Sequence, residues 1–174
     1  MVITPETRHY WKTVGIRIRD IRKNKGISTK EMAIVSETMR SAISQFERGI
    51  CSTSINYALF LRNEFKVGFD WIYDGEHVDR LYRDVVKKRE FNSVEIGNRI
   101  KSIRKDKGMT LKEFGNLIGL SYAGLDNIEN GHRKPRIETA IKIKYATQKS
   151  LDWIYFGDEI IVPKSIERSQ SSKN

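Results

Sequence analysis

The chain has 174 residues, with 32 Lys and Arg against 22 Asp and Glu, a formal charge of +10 and 39% apolar residues. That length accommodates one domain or two, and the basic surplus favours a polyanionic partner, either nucleic acid or an anionic membrane surface. No apolar run approaches the roughly 20 residues that span a bilayer, MVITPETRHYWK lacks the charged-then-apolar order of a signal peptide, and the lone Cys51 excludes an intramolecular disulfide, so a cytoplasmic protein is expected.

The first predicted helix contains VGIRIRDIRKNK at residues 14–25, and the same phrase returns as IGNRIKSIRKDK at 96–107. Phe46-Glu47-Arg48-Gly49 returns as Ile128-Glu129-Asn130-Gly131, and Asp70-Trp71-Ile72-Tyr73 as Asp152-Trp153-Ile154-Tyr155. The offset is 82 at all three places, and 19 of 62 positions from Val14 to Gly75 are identical to their counterparts. A tandem duplication is implied. Its expected parts are a first domain over 1–75, a linker over 76–95, a second domain over 96–160, and a polar, disordered tail over 161–174. Charge is uneven, +3 over residues 1–82 and +7 over 83–174.

Val14, Ile18 and Ile21, like Ile96, Ile100 and Ile103, are spaced four and three, which predicts one apolar stripe per helix, with Arg17, Arg22 and Lys23, or Arg99, Arg104 and Lys105, largely off it. Gly26 and Gly108 stand where that helix stops. Ser28 and Thr110, each followed three residues later by a glutamate (Glu31, Glu113), have capping-box spacing for a second helix. Ser121 caps a third helix running through Leu125 and Ile128 to Gly131. The Asp-Trp-Ile-Tyr segments are expected to form a short closing helix whose Trp and Ile plug each bundle. VDRLYRDVVKKRE, between the copies, has helical spacing at Val78, Leu81 and Val85. The fold class expected is all-α, two tandem bundles of about five short helices each.

Helix, tight turn and helix is the arrangement that sets one helix across another. The second copy carries Arg104-x-x-x-Gly108-Met109-Thr110, Glu113-Phe114-Gly115, Gly119-Leu120-Ser121, Leu125-x-x-Ile128-Glu129-Asn130-Gly131 and the basic exit His132-Arg133-Lys134-Pro135. With these, it resembles the lambda-repressor-like, Cro-type (XRE) helix-turn-helix family. The first copy matches at Arg22, Gly26-Ile27-Ser28, Glu31-Met32-Ala33, Ile43 and Phe46-Glu47-Arg48-Gly49.

The resemblance implies that the third helix enters the major groove of double-stranded DNA with its N-terminal residues on base edges. By position, the reading residues of the second copy are Ser121, Tyr122, Ala123 and Asn127. Those of the first are Arg40, Ser41 and Gln45, with Met39 at the helix start. Asn and Gln amides pair with adenine, Arg with guanine, and Ala or a ring edge meets a thymine methyl. Lys112, Asn130, His132, Arg133, Lys134 and Arg136, and in the first copy Arg48, are placed for phosphates. Arg22 with Glu47 and Arg104 with Glu129 match an ion pair that ties the first helix to the end of the third.

Both copies depart from the pattern. The glutamine that opens the second helix in the family is Thr29 and Leu111 here. The first copy has Ser36, Glu37 and Thr38 where the second has Ile118, Gly119 and Leu120, so its turn is expected to be rebuilt. The second copy has Thr147, Gln148 and Lys149 where an apolar-Gly-apolar run is expected. Catalysis has no support: His9, His77 and His132 lie far apart, no His/Cys pair has metal spacing, and no phosphate loop or nucleophile motif is present; no cofactor is implied. A DNA-binding transcriptional regulator, of repressor type, is the leading expectation. The alternative is a protein-interaction module, an antiactivator or antitoxin. Whether one chain spans two half-sites or two chains dimerise through one copy stays open.

Overall fold

The computed structural model of the chain describes residues 8–76 and 88–158, and among them every regular element is helical. The first half holds α1 (Arg8–Asn24), α2 (Thr29–Val35), α3 (Arg40–Glu47), α4 (Ile55–Phe65) and α5 (Phe69–Asp74). The second holds α6 (Ser93–Asp106), α7 (Leu111–Ile118), α8 (Tyr122–Glu129), α9 (Ile137–Thr147) and α10 (Leu151–Phe156). Of the helix expected between the copies over 78–90, residues 78–87 lie outside the described residues, as does the tail. The described stretch 88–92 is not helical.

Local chemistry accounts for most of the helix boundaries. Ser28 and Thr110 each accept the backbone N–H of the glutamate three residues on, and Glu31 and Glu113 accept the cap residue's own N–H at 2.7 Å, completing both capping boxes. Those bonds hold the two exposed carboxyls below their ordinary pKa. Ser54, Ser121 and Ser150 cap α4, α8 and α10 in the same way. The predicted stripes of α1 and α6 are buried, with Val14, Ile18, Ile96 and Ile100 at most 1% exposed.

The turn of the first half is not rebuilt. Thr38 N–H donates to the Ala33 carbonyl as Leu120 N–H does to Gly115, and the turn residues Glu37 (φ 49°) and Gly119 (φ 67°) share the left-handed conformation. The hydrogen bonds dictate that conformation, and Glu37 tolerates what glycine adopts freely. The Trp expectation also needs correction: Trp71 and Trp153 are only partly buried, and Ile72, Ile154, Tyr73 and Tyr155 fill the bundles.

The halves join through their closing helices. Asp70 N–H donates to the Asp152 carboxylate (3.2 Å), while Asp152 N–H donates to the Asp70 carboxylate (3.0 Å), so each helix caps the other. Leu151 N–H adds a bond of 2.8 Å to Asp70. From α9, the Lys144 ammonium meets Asp70 (2.9 Å), Asp74 (2.6 Å) and Glu76 (2.7 Å). From α4, Arg62 meets Asp158 (3.0 Å) and Asp152 (3.7 Å) and lies 4.6 Å above the Phe156 ring. The Phe69 ring packs edge-on against Tyr155 and Phe156, each with centroids 5.2 Å away. Arg89 binds Asp158 and is clamped by two backbone bonds to the Asn63 amide.

Two predictions follow from these features. Glu37→Gly relieves left-handed strain of roughly 1–2 kcal/mol and adds about 0.5–1 kcal/mol of unfolded-chain entropy. A net gain of about 0.5–1 kcal/mol in urea unfolding is expected, whereas Gly119→Ala loses stability. The second concerns acid. Burial works against the Asp70 charge, but Lys144 and the Asp152 N–H outweigh it and hold the Asp70 pKa below its ordinary value. A depressed carboxyl stabilises the fold above the unfolded pKa and loses that contribution as pH falls through the folded one. The stability difference between wild type and Asp70→Asn is therefore expected to be constant at neutral pH and to shrink below about pH 4, followed by fluorescence of Trp71 and Trp153 on the joint helices.

Candidate nucleic-acid interface

A helix that reads DNA must hold its outer face clear while its inner face is pinned. In the second half, Leu125 and Ile128 of α8 are fully buried, and Glu129 at its end is 4% exposed. Glu129 accepts both Nε (2.7 Å) and Nη2 (2.8 Å) of Arg104 from α6, whose Nη1 donates to the Met109 carbonyl (2.9 Å). One guanidinium thus ties α6, the entry to α7 and the end of α8. The bond to Glu129 raises the Arg104 pKa. Gly97 makes the same junction sterically: a Cβ there would stand 2.4 Å from the Ile128 carbonyl, so only glycine lets α6 approach the end of α8.

The first half repeats this frame. Arg22 donates to Glu47 through Nε (2.5 Å) and Nη2 (2.7 Å) and to the Ile27 carbonyl, and Gly15 lies against the Phe46 and Glu47 carbonyls. Sequence reasoning overlooked a second pair of arginines. Arg17 donates to the carbonyls of Ile72 and Tyr73, and Arg99 to those of Ile154 and Tyr155, fastening each closing helix to the first helix of its bundle. Their identity in both copies was the available signal.

On the outer face of the second half, Ser121, Tyr122, Ala123 and Asn127 are all exposed, Tyr122 at 59%. The Ser121 hydroxyl is engaged as a helix cap, accepting Gly124 N–H (3.1 Å), which limits its freedom to meet a base. The Asn127 carbonyl accepts His132 N–H (2.9 Å) and Arg133 N–H (3.2 Å), folding the exit loop back on α8 while leaving the Asn127 amide group outward. His132, Arg133 and Arg136 are exposed beside it, and Lys112 is exposed in the first turn of α7. Two expected phosphate ligands are more constrained. Asn130 donates to Asp126 (3.0 Å), and Lys134 is half-buried with its ammonium 5.2 Å from the Phe91 ring.

The corresponding surface of the first half differs in chemistry. Arg40, Ser41 and Gln45 are exposed on α3, but its N-cap, Met39, provides no side-chain bond. Gln45 accepts a long contact from Cys51 Sγ (3.7 Å), and Arg48 folds back to the Ser44 carbonyl (3.2 Å). Around them Ile34, Val35, Met39 and Ile50 are 57–76% exposed. Where the second half presents cations, the first presents apolar surface.

Residues 100–154 match the helix-turn-helix family model. That stretch is a Cro-type helix-turn-helix domain. It spans α6 to α10 and includes the pinned junction, the turn at Gly119 and the exposed α8 face. No curated protein and no solved structure matches the chain. Among the described residues, one carboxylate group, Asp70, Asp74 and Glu76, has oxygens close enough together for a metal ion, and the Lys144 ammonium already occupies their centre. No described helix is long and apolar enough to cross a membrane.

The Arg104–Glu129 pair is nearly buried, at 11% and 2% side-chain exposure. Removing one partner strands the other charge at a cost of roughly 3 kcal/mol. Glu129→Ala in the helix-turn-helix domain is expected to lower the thermal midpoint before any change in sequence preference. An Ala variant that melts like wild type contradicts this structural role.

Proposed function

We propose that the protein is a sequence-specific DNA-binding regulator of transcription that reads the major groove with α8 and acts as a repressor by occupying its site. The observation that carries this reading is the joint exposure of Tyr122, Ala123 and Asn127 on a capped, pinned helix, beside His132 and the cations Arg133 and Arg136 within the helix-turn-helix match. The side chains supply complementary chemistry: an amide that pairs with adenine N6 and N7, and a methyl and ring edge for thymine. The exit loop and Lys112 meet phosphates, which fix register and make binding salt-dependent. Arg133 and Arg136 take the larger share of that role, since Lys134 and Asn130 are held by Phe91 and Asp126.

A second reading has its own support. The exposed Ile34, Val35, Met39 and Ile50 surround α3, and apolar side chains are poor phosphate ligands but good protein contacts. On that reading the first half meets a protein while the second reads DNA, or the whole chain is an antiactivator or antitoxin.

Selection of bound sequences from random duplex DNA, with salt titration, separates the two. A base motif is expected for the regulator, whereas weak binding that vanishes near physiological salt without any motif counts against it. Paired substitution Tyr122→Ala with Asn127→Ala is expected to relax base preference at one element by about 10-fold or more, from roughly 1–3 kcal/mol per lost contact. Arg133→Ala is expected to weaken all sequences alike and to reduce the salt slope by about one.

A further inference from the structure

We propose that the chain is a built-in dimer: a single copy sets two unlike reading helices, α3 and α8, on the two half-sites of a bipartite, non-palindromic duplex. The inference rests on the DNA-binding reading above and specifies the ligand it takes.

In a two-fold interface residue i meets residue j and, reciprocally, j meets i. The joint between the halves obeys that rule at the sequence offset of 82. Arg62 corresponds to Lys144, Asp70 to Asp152, Asp74 to Phe156 and Glu76 to Asp158. Arg62 meets Asp152, Asp158 and the Phe156 ring, and Lys144 meets their counterparts Asp70, Glu76 and Asp74. The backbone caps of Asp70 and Asp152 are mutual. The contacts that would join two identical chains are therefore made within one. Both copies of the self-complementary face are consumed, and joining them covalently removes the concentration dependence of pairing.

The joint also lies where the reading helices end. Ser52, in the loop leaving α3, donates to Glu138 in the first turn of α9, just beyond the basic loop leaving α8. A two-fold relation at the joint would pair α3 with α8, and the Ser52–Glu138 bond brings the chain leaving α3 beside the chain leaving α8. Duplex DNA offers the matching symmetry, with successive major grooves on one face about 34 Å apart. The two readers are chemically unlike. Arg40, Ser41 and Gln45 favour guanine and adenine, while Tyr122, Ala123 and Asn127 favour thymine and adenine. The half-sites must differ accordingly. The second half, with Arg133 and Arg136, supplies most of the phosphate attraction, since the first has Ile50, Cys51 and Ser52 in its exit.

The test uses the full chain. Selected duplexes are sequenced, and the complex is weighed by native mass spectrometry. One chain per duplex is expected, on two unlike elements about one helical turn apart. Inserting about 5 bp, half a turn, between the elements is expected to lower affinity to that of one element alone. The pair Arg40→Ala with Gln45→Ala, both exposed, is expected to erase preference at one element and leave the other, with an unchanged melting profile. Two chains on a palindrome, or a single element indifferent to that pair, overturns the built-in dimer while leaving DNA reading intact. Failure to select any motif overturns the DNA-binding reading as well, and the inference with it.

Discussion

Two carboxylates that face each other across a buried joint hold the molecule together. Asp70 and Asp152 are at most 1% exposed, and burying two like charges side by side is among the most unfavourable arrangements a protein makes. Here each is met by the other's helix N-terminus, where backbone N–H groups and the helix dipole favour negative charge, and each has a cation from the opposite half. These groups all reach each aspartate from the other half of the chain. Separating the halves would break both sets of bonds at once and open the Phe69, Tyr155 and Phe156 contact to water.

Within each half a second constraint fixes α3 or α8 against the first helix. Arg104 with Glu129, and Arg22 with Glu47, tie the first helix to the end of the third, while Gly97 and Gly15 bring the same elements into backbone contact. The ion pair supplies direction and the glycine supplies closeness. Arg99 and Arg17 then tie the first helix to the closing helix that builds the joint. The first helix of each half is thus tied by arginines at two points, to its closing helix and to the end of α3 or α8. On the proposed DNA-binding reading, such support would hold three or four exposed side chains in register with base edges.

Much of this was legible in the sequence because it is local. Capping boxes at Ser28 and Thr110, the stop glycines and the apolar stripes obey rules that operate within a few residues, and the helices begin and end close to where those rules put them. The Arg–Glu pairs were legible only through family resemblance, since 25 residues separate the partners. The joint was not legible at all. An aspartate opening a short helix is an ordinary cap residue, and nothing in Asp-Trp-Ile-Tyr reveals that its carboxylate serves the other copy. Trp71 and Trp153 were misjudged because size suggested burial, when Ile and Tyr of the same segment face inward. The turn at Glu37 was misjudged because side-chain preference was weighed above the hydrogen bonds that impose its conformation. On the candidate interface, Lys134 and Asn130 showed the same limit: their charge and polarity are visible in sequence, but Phe91 and Asp126 as their neighbours are not.

On the built-in-dimer proposal, joining two readers in one chain changes what each must satisfy. In a symmetric homodimer every surface residue is present twice, so a substitution that weakens phosphate contacts weakens both half-sites together. In a built-in dimer each half varies alone, and one well-anchored half keeps the other at high local concentration beside the DNA. The two exits are consistent with that freedom. The second has His132, Arg133 and Arg136 on its surface, while the first has Ile50 and Cys51 at the matching positions and surrounds α3 with exposed Ile34, Val35 and Met39. The joint is more alike on its two sides: Asp70 matches Asp152, and Arg62 and Lys144 share a charge while differing in geometry. Arg62 spreads its planar cation between two carboxylates and a ring, and Lys144 concentrates a point charge among three carboxylates. On the built-in-dimer proposal the interface is two-fold in its connections while its two sides differ, an arrangement open to two halves of one chain and closed to a pair of identical chains.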